Sequence, residues 1–389
     1  MTAATLPPSL CDIAIIGGGP VGLFLAHTLR HSAHRVVVLE AEHALVRDDP
    51  RMLALSVGSQ QLLEQQACWS ASLMQSPIRH VHVSQQGFFG HTRLKATDMD
   101  AEQLGYVVPY PALQTVLTQA LPDNATLLGG ARVEQVHSNA GYASVQFQWQ
   151  GQTRQLTSRL LVLADGGSLL QQLRVPCVER DYQQCALVGL LEADQAPIDT
   201  AFERFVPGGA LALLPQPGGY AVIWSQPLNR LQEMQQAPET ALCLELQRLA
   251  GHKAGQFRQL QRRHVMPLKL RYARQLIGPR FVLIGNAAQS LHPIAGQGLN
   301  LGLRDAWELT QLLAPLSPPQ LDHPQLLAAY PARRRLDKLN GVGFTDSLIR
   351  LFAQPGLGHV RGAGLSALNL LPGVKRRLLQ HLALGVRRA

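Results

Sequence analysis

Two stretches, DIAIIGGGPVGLFLAHTLR (Asp12–Arg30) and RVVVLE (Arg35–Glu40), decide the fold. Asp12 to Ile16 is an apolar run of strand length. Pro20 to Arg30 places Val21, Leu25 and Leu29 on one helical stripe, and Arg35 to Leu39 is rich in β-branched residues. Strand, turn, helix and strand in this spacing make a βαβ unit with a parallel sheet. The turn itself is Gly17-Gly18-Gly19-Pro20-Val21-Gly22, a G-x-G-x-x-G pattern between strand and helix. Gly17 permits the tight turn, Gly19 lets a pyrophosphate approach the backbone, and Gly22 lets helix and strand pack closely. The free N–H groups and dipole of the helix N-terminus then favour the anion. Glu40 ends the next strand 23 residues after Gly17, placed to accept hydrogen bonds from a ribose diol. An acid there suits a free 2′-hydroxyl, hence FAD or NAD rather than NADP, and does not separate the first two.

The whole chain has 389 residues, 46% hydrophobic and 16% charged, enough for two to three domains and too apolar for disorder. A net charge of +9 favours anionic partners without choosing among them. The five cysteines are scattered and form no C-x-x-C pair, which argues against a disulfide framework and a thiolate metal site and for a reducing compartment. Apolar runs are strand-sized, short of the roughly 20 residues of a transmembrane helix. Met1 to Leu10 has no Lys or Arg and does not read as a secretory signal. A cytoplasmic location is expected, with a peripheral contact on the inner face of a membrane as its extension. Basic residues are spread along the chain with no aromatic platform, which argues against nucleic acid.

Two further motifs fall at strand ends. The apolar run Leu160 to Ala164 ends in Asp165-Gly166, where α/β folds bind ligands. Later, FVLIGNAAQSLHPIAGQGLNLGLRDA (Phe281–Ala306) leads a strand into Gly285-Asn286 and a loop holding Pro293, Gly296 and Gly298. A helix then begins near Leu299. Pro293 stiffens the turn, the glycines admit a flat ring, and the helix N-terminus suits a partial negative charge such as the N1–C2=O edge of a reduced isoalloxazine.

These three motifs in this order resemble the single-component FAD-dependent aromatic hydroxylases, the para-hydroxybenzoate hydroxylase superfamily. Within it, GNAAQSLHPIAGQGLNLGLRDA is similar to the ubiquinone-biosynthesis branch, nearest the 2-polyprenyl-6-methoxyphenol hydroxylases. DDPRMLALS (Asp48–Ser56), LGYVV (Leu104–Val108), FERF with GGALALLP (Phe202–Pro215) and YPARRRLDKLN (Tyr330–Asn340) extend the likeness. The resemblance implies a Rossmann-like, discontinuous FAD-binding domain (1–77, 106–180 and 271–345). It also implies an inserted, mostly antiparallel β substrate domain (78–105 and 181–270) and a C-terminal helical segment (346–389).

It further implies that Gly17, Gly19 and Gly22 hold the FAD pyrophosphate and Glu40 the adenosine ribose. Arg51 would lie by the flavin, and Asp165-Gly166 near the pyrophosphate and a transient NAD(P)H. Gly285-Asn286 would meet the ribityl portion, and Pro293, Gly296, Gly298, Leu299 and Asn300 would line the isoalloxazine. Asn286 stands where the family usually has Asp, keeping an acceptor and dropping the charge. Ser168 falls one position early and Gln172 replaces the usual Arg of the D-G-x-x-S-x-x-R pattern. The implied chemistry is hydroxylation of a polyprenyl phenol by O2 through a C4a-hydroperoxyflavin. His292 is the one ionisable candidate for a base in the flavin loop, beside Pro293.

Two rival readings are an FAD-dependent oxidase or reductase of another isoprenoid or aromatic compound, and a non-catalytic flavoprotein subunit of a quinone-synthesis assembly. The basic C-terminal stretch Leu371 to Arg388 reads equally as a surface for anionic lipid or a partner enzyme and as a solvated helix face.

Overall fold

The computed structural model describes residues 7–43, 49–119, 121–291, 296–323, 325–354 and 356–385. Its first sheet runs in the order β17 (Ile277–Gly278), β18 (Phe281–Leu283), β11 (Gln152–Leu163), β1 (Leu10–Ile16), β2 (Val36–Glu40), β8 (Ala125–Gly129). The pairs from β18 to β8 are parallel, and β10 (Ala143–Trp149) and β9 (Arg132–Ser138) extend β11 in antiparallel fashion. Strands β1, β2 and the distal half of β11 are buried almost throughout, as expected where helices cover both faces of a parallel sheet.

Helix α1 (Pro20–Thr28) lies against α6 (Gln297–Leu313) and α3 (Tyr110–Gln119). A Cβ on Gly302 would sit 2.6 Å from the Val21 side chain and 3.2 Å from the Gly285 Cα. The glycine therefore sets how closely α6 approaches α1.

The second sheet runs β19 (Gln289–Ser290), β16 (Gln256–Ala273), β12 (Cys177–Asp194), β15 (Gly219–Pro227), β14 (Gly209–Gln216), β13 (Thr200–Val206), β5 (His80–Gln85), β6 (His91–Lys95). It is antiparallel except for the β13–β5 pair. In the sequence, Pro-Gly turns such as Pro207-Gly208-Gly209 and Pro217-Gly218-Gly219 read as an antiparallel sheet of short strands between Ala186 and Leu270, yet β12 and β16 are 18 residues each. They stay paired through register shifts at Asp181/Gln184, Val188/Leu190 and Glu192/Ala193. Such bulges bend a strand without ending it, and the polar residues at them read in sequence as breaks.

Helices α4 (Leu231–Gln236) and α5 (Glu239–Ala250) cover one face of this sheet, closing a core around Tyr220 and Trp224. A small third sheet, β3 (Met52–Ser56), β7 (Gly105–Pro109) and β4 (Ser76–Ile78), stands beside α2 (Val57–Gln65).

Past α6 the chain is helical: α7 (Ala329–Ala353), α8 (Gly358–Leu370) and α9 (Pro372–Leu384). Helix α7 is continuous through residues 345 and 346. Lys375 and Arg376 of α9 pair with Asp98 and Asp100, so part of the basic C-terminal face is used within the protein. No described helix is long and apolar enough to cross a membrane.

A buried ion pair locks these parts together. Asp305 of α6 accepts hydrogen bonds from the Gly285 N–H (2.9 Å), the Gln289 amide (2.9 Å) and Arg334 Nε of α7 (2.7 Å). Arg334 also binds Asp337 (2.5 Å) and the Leu301 carbonyl, and Arg304 lies 3.8 Å from Asp337. Burial pushes the Asp305 carboxyl up, opposed by Arg334 and the three donors. Every lone-pair site that counts is used, which lets a charge persist in the core. Replacing Arg334 with Met leaves that carboxylate without its counter-charge, and should lower unfolding stability by about 3–5 kcal/mol, read by denaturant titration.

Candidate cofactor and substrate site

In the first sheet, Ile16 is level with Leu39 and Leu163, and Leu163 is level with Leu283. The next residues along these four strands are Gly17, Glu40, Ala164 and Ile284, so one row of backbone delivers all the sequence motifs to one edge. The ladder closes there through Gly17 N–H to Leu39 O (2.8 Å), Ala164 N–H to Ile16 O (2.8 Å) and Ile284 N–H to Leu163 O (3.0 Å). The chain passes from β1 to β2 on one side and meets β11 and β18 on the other. A crevice at the carboxyl ends of strands, where the winding direction reverses, is where open α/β sheets bind ligands.

The glycines of the first turn differ in what surrounds them. Gly17 has φ +104°, and a Cβ there would lie 2.6 Å from the Ala164 carbonyl oxygen. A Cβ on Gly22 would lie 2.0 Å from the Gly17 carbonyl oxygen, whereas one on Gly19 meets nothing within 4 Å. Two glycines thus serve the turn and the third faces open space. Gly19 caps α1 without a side-chain hydrogen bond, and no acid stands in the first helical turn. The N-terminal N–H groups are left for an anion. Glu40 accepts from the Gly18 N–H at 2.6 Å and the Glu42 N–H at 3.1 Å, which fixes its carboxylate beside the loop.

Gln114 of α3 was not singled out in the sequence. Its amide donates to the Gly18 carbonyl (2.6 Å), while its Oε1 is buried with no partner among the described residues. An orphaned acceptor at this place is a polar contact for a ligand. Arg51 precedes β3, pairs with Asp49, and stacks 4.1 Å from the Tyr110 ring. Burial pushes the Tyr110 phenol up, and it feels both Arg51 and Glu40.

The second motif folds onto itself. Asp165 accepts from the Gly167 N–H (3.0 Å), the Ser168 hydroxyl (2.5 Å) and the Leu169 N–H (3.1 Å), so its carboxylate caps its own turn. Gly166, at φ +75°, leaves open space where a Cβ would be. Gln172, in the usual Arg place, donates to the Glu134 carbonyl and accepts from the Val136 N–H, stitching this turn to β9. The second and third motifs are bridged by Arg271 of β16, which donates to the carbonyls of Gly166, Gly167 (3.2 Å) and Asn286 (3.4 Å). Its role had no sequence signal, since it lies 105 residues from Gly166 and 15 from Asn286.

In the third motif, Gly285 adopts φ +58° against Val21, and the exposed Asn286 stands 4.0 Å from where a Gly298 Cβ would be. Gly296 caps α6 at φ +59° and, as a glycine, brings no side-chain cap to this second helix N-terminus. Leu299 packs on the main core. Asn300 is buried, with its Oδ1 taking the Ser56 N–H (2.9 Å) and Ser59 hydroxyl (2.7 Å). Its amide donates to the Ala54 (3.0 Å) and Gly296 (2.8 Å) carbonyls. That side chain positions the loop, with no valence left over for a ring. His292 and Pro293 lie outside the described residues.

Beyond the α6 N-terminus, a cavity of about 290 Å³ opens between the β13–β5–β6 edge of the second sheet and helices α7 to α9. Val81, Val83 and Leu94 form its floor, and Phe352, Leu368 and Leu382 part of its cover. Gln297 and Asn300 line it as well, which places it directly against the third motif.

Taken as a donor set, two uncapped helix N-termini, a carboxylate fixed beside a glycine loop, the orphaned Gln114 oxygen and the open faces of Gly19 and Gly166 fit a dinucleotide of the FAD type. The profile of a family described as "FAD binding domain" matches residues 10–338. Ubiquinone hydroxylase UbiL of Rhodospirillum rubrum is 32% identical, over 96% of this chain and 89% of its own. The 3-demethoxyubiquinol 3-hydroxylase of Escherichia coli is 29% identical, over 96% of this chain and 98% of its own. Among solved structures, the p-nitrophenol 4-monooxygenase of Pseudomonas putida superposes with a TM-score of 0.82 at 18% identity, over 98% of this chain and all of that one.

Substituting Arg271 with Met removes the bridge between the second and third motifs while sparing the core. FAD binding, followed by recovery of free-flavin fluorescence on dissociation, should weaken about tenfold, the equivalent of one lost charged hydrogen-bond set.

Proposed function

The chain belongs to the FAD-binding family of aromatic hydroxylases, and we propose that it hydroxylates a polyprenyl phenol of the 2-polyprenyl-6-methoxyphenol type in ubiquinone biosynthesis, with NAD(P)H as reductant. FAD-dependent aromatic monooxygenation is the family's chemistry. The substrate, the reductant and the residue assignments are our reading. One observation carries the substrate class: the cavity beside the third motif is walled mostly by aliphatic side chains and is covered by leucine-bearing helices. Such a wall gains by burying hydrocarbon and offers little to a charged or sugar-like compound. The names of the curated relatives point the same way.

When bound, FAD carries the electrons of NAD(P)H to O2 so that one oxygen atom enters the ring and the other leaves as water. The protein's residues then have four tasks. Gly17, Gly19, Gly22 and the α1 N-terminus bind the pyrophosphate, with Glu40 on the ribose and Gln114 as a further polar contact. Asn286 and the α6 N-terminus face the ring end, and Asn300 keeps the backbone of that loop in place. Gly166 and Arg271 shape the wall between. The apolar cavity holds the phenol and excludes water, which protects the activated oxygen from wasteful release as peroxide.

Supplied with FAD, NADPH or NADH, and a 2-prenylated 6-methoxyphenol under 18-O2, the protein should return a ring-hydroxylated product carrying one labelled oxygen by mass spectrometry. Peroxide formation with an unlabelled product would instead identify an oxidase. Absence of any NAD(P)H oxidation across a panel of phenols would identify a non-catalytic flavoprotein.

A further inference from the structure

Strand β13 alternates its faces. Phe202 and Arg204 point toward the α4–α5 side, whereas Ala201, Glu203 and Phe205 point toward α7 to α9. On that second face, Glu203 stands level with Ala212 of β14 and Val83 of β5, and Val83 is level with Thr92 of β6. Thr92 spends its hydroxyl hydrogen on Asn369 (2.9 Å). A carboxyl group therefore sits in a row that is apolar but for the occupied Thr92 hydroxyl, lining the cavity. Its Oε1 is buried with no hydrogen-bond partner, and no described cation pairs with it. The neighbouring Arg204 lies on the opposite face and donates to Ser84. Glu203 is the one ionisable side chain among the described residues that line this cavity. Burial alone pushes its pKa from the ordinary 4.5 up to about 8.

An unpartnered carboxyl in an apolar wall weakens the fold, and a leucine would serve packing better. Such a departure from folding consistency belongs where a ligand completes the site. The ligand must be largely hydrocarbon to match the wall and must bring one hydrogen-bonding group to reach Glu203. We propose that Glu203 is the partner of the substrate's ring hydroxyl, the one ionisable anchor among the described residues of a mostly apolar cavity in which the hydrocarbon chain runs along α8 and α9. The inference rests on the aromatic-hydroxylase reading and deepens it, by naming what orients the ring. A hydrogen bond at the phenol oxygen fixes which ring carbon faces the α6 N-terminus. Where the carboxyl accepts that bond, it raises the electron density of the ring.

The test uses the FAD-loaded full chain with 2-geranylphenol and its methyl ether, in the wild type and in Glu203→Leu and Glu203→Gln. Calorimetric binding should favour the phenol over the ether about tenfold in the wild type. Glu203→Leu should abolish that preference and raise KM for the phenol by a similar factor, and Glu203→Gln should keep part of it. Glu203→Leu should also melt higher than the wild type. Between pH 5 and pH 8 the unfolded chain ionises at Glu203 while the folded protein holds the proton, so the wild type loses stability as pH rises. The advantage of the leucine variant therefore widens toward pH 8. A merely structural glutamate would show the reverse, a lower melting point. A phenol preference that survives Glu203→Leu overturns the assignment and leaves the hydroxylase reading standing. A wild type that inserts oxygen into no phenol overturns both.

Discussion

The Asp305 carboxylate, shut away from water and answered by Arg334, is the interaction on which the site depends. Its ligands come from three directions: the Gly285 N–H at the end of β18, the Gln289 amide leading into β19, and the guanidinium of α7. One buried charge thus fixes the third motif, the axis of α6 and the start of the helical cover relative to one another. Nothing apolar could do this with the same directionality, because hydrophobic burial does not select an orientation. A satisfied ionic network does, at the expense of desolvating its members.

From that anchor the two functional spaces share a wall. Helix α6 presents its uncapped N-terminus to the dinucleotide crevice, and Gln297 and Asn300 on its first turn line the apolar cavity. Asn300 uses both ends of its amide to hold β3, α2 and the preceding loop in register. Gly302, one turn on, lets the same helix press against α1 and Gly285. The ring end of a bound cofactor and the aromatic end of a bound substrate consequently meet across a single rigid element. Rigid elements hold reacting groups more accurately than loops do.

Each of these two spaces carries a polar group that folding alone does not call for. Gln114 keeps an unpaired oxygen beside the glycine turn, and Glu203 puts a carboxyl among leucines and valines. Strands β1, β2 and β11 are by contrast packed by aliphatic side chains. An unanswered polar group that lines an open space is one that a ligand can complete.

What the amino-acid order determined by itself was short in range. The β1–α1–β2 unit, the glycine turn and the strand-to-helix course of the third motif follow from hydrophobic period and turn chemistry within some thirty residues. So does the mostly antiparallel character of the second sheet, signalled by its Pro-Gly turns. The length of β12 and β16 was not legible, because their bulges carry the polar residues that elsewhere end strands. Asp305 and Arg334 were visible only as letters in two recognised stretches, 29 positions apart. Glu203 was likewise a letter in the FERF stretch, and Arg271 and Gln114 gave no local sign at all. Their partners, or their lack of partners, exist only once β16, α3 and β13 have been brought to their neighbours. Propensity and periodicity act along the chain, whereas the pairing of a charge, or the isolation of one, is a property of the space that the packed chain encloses.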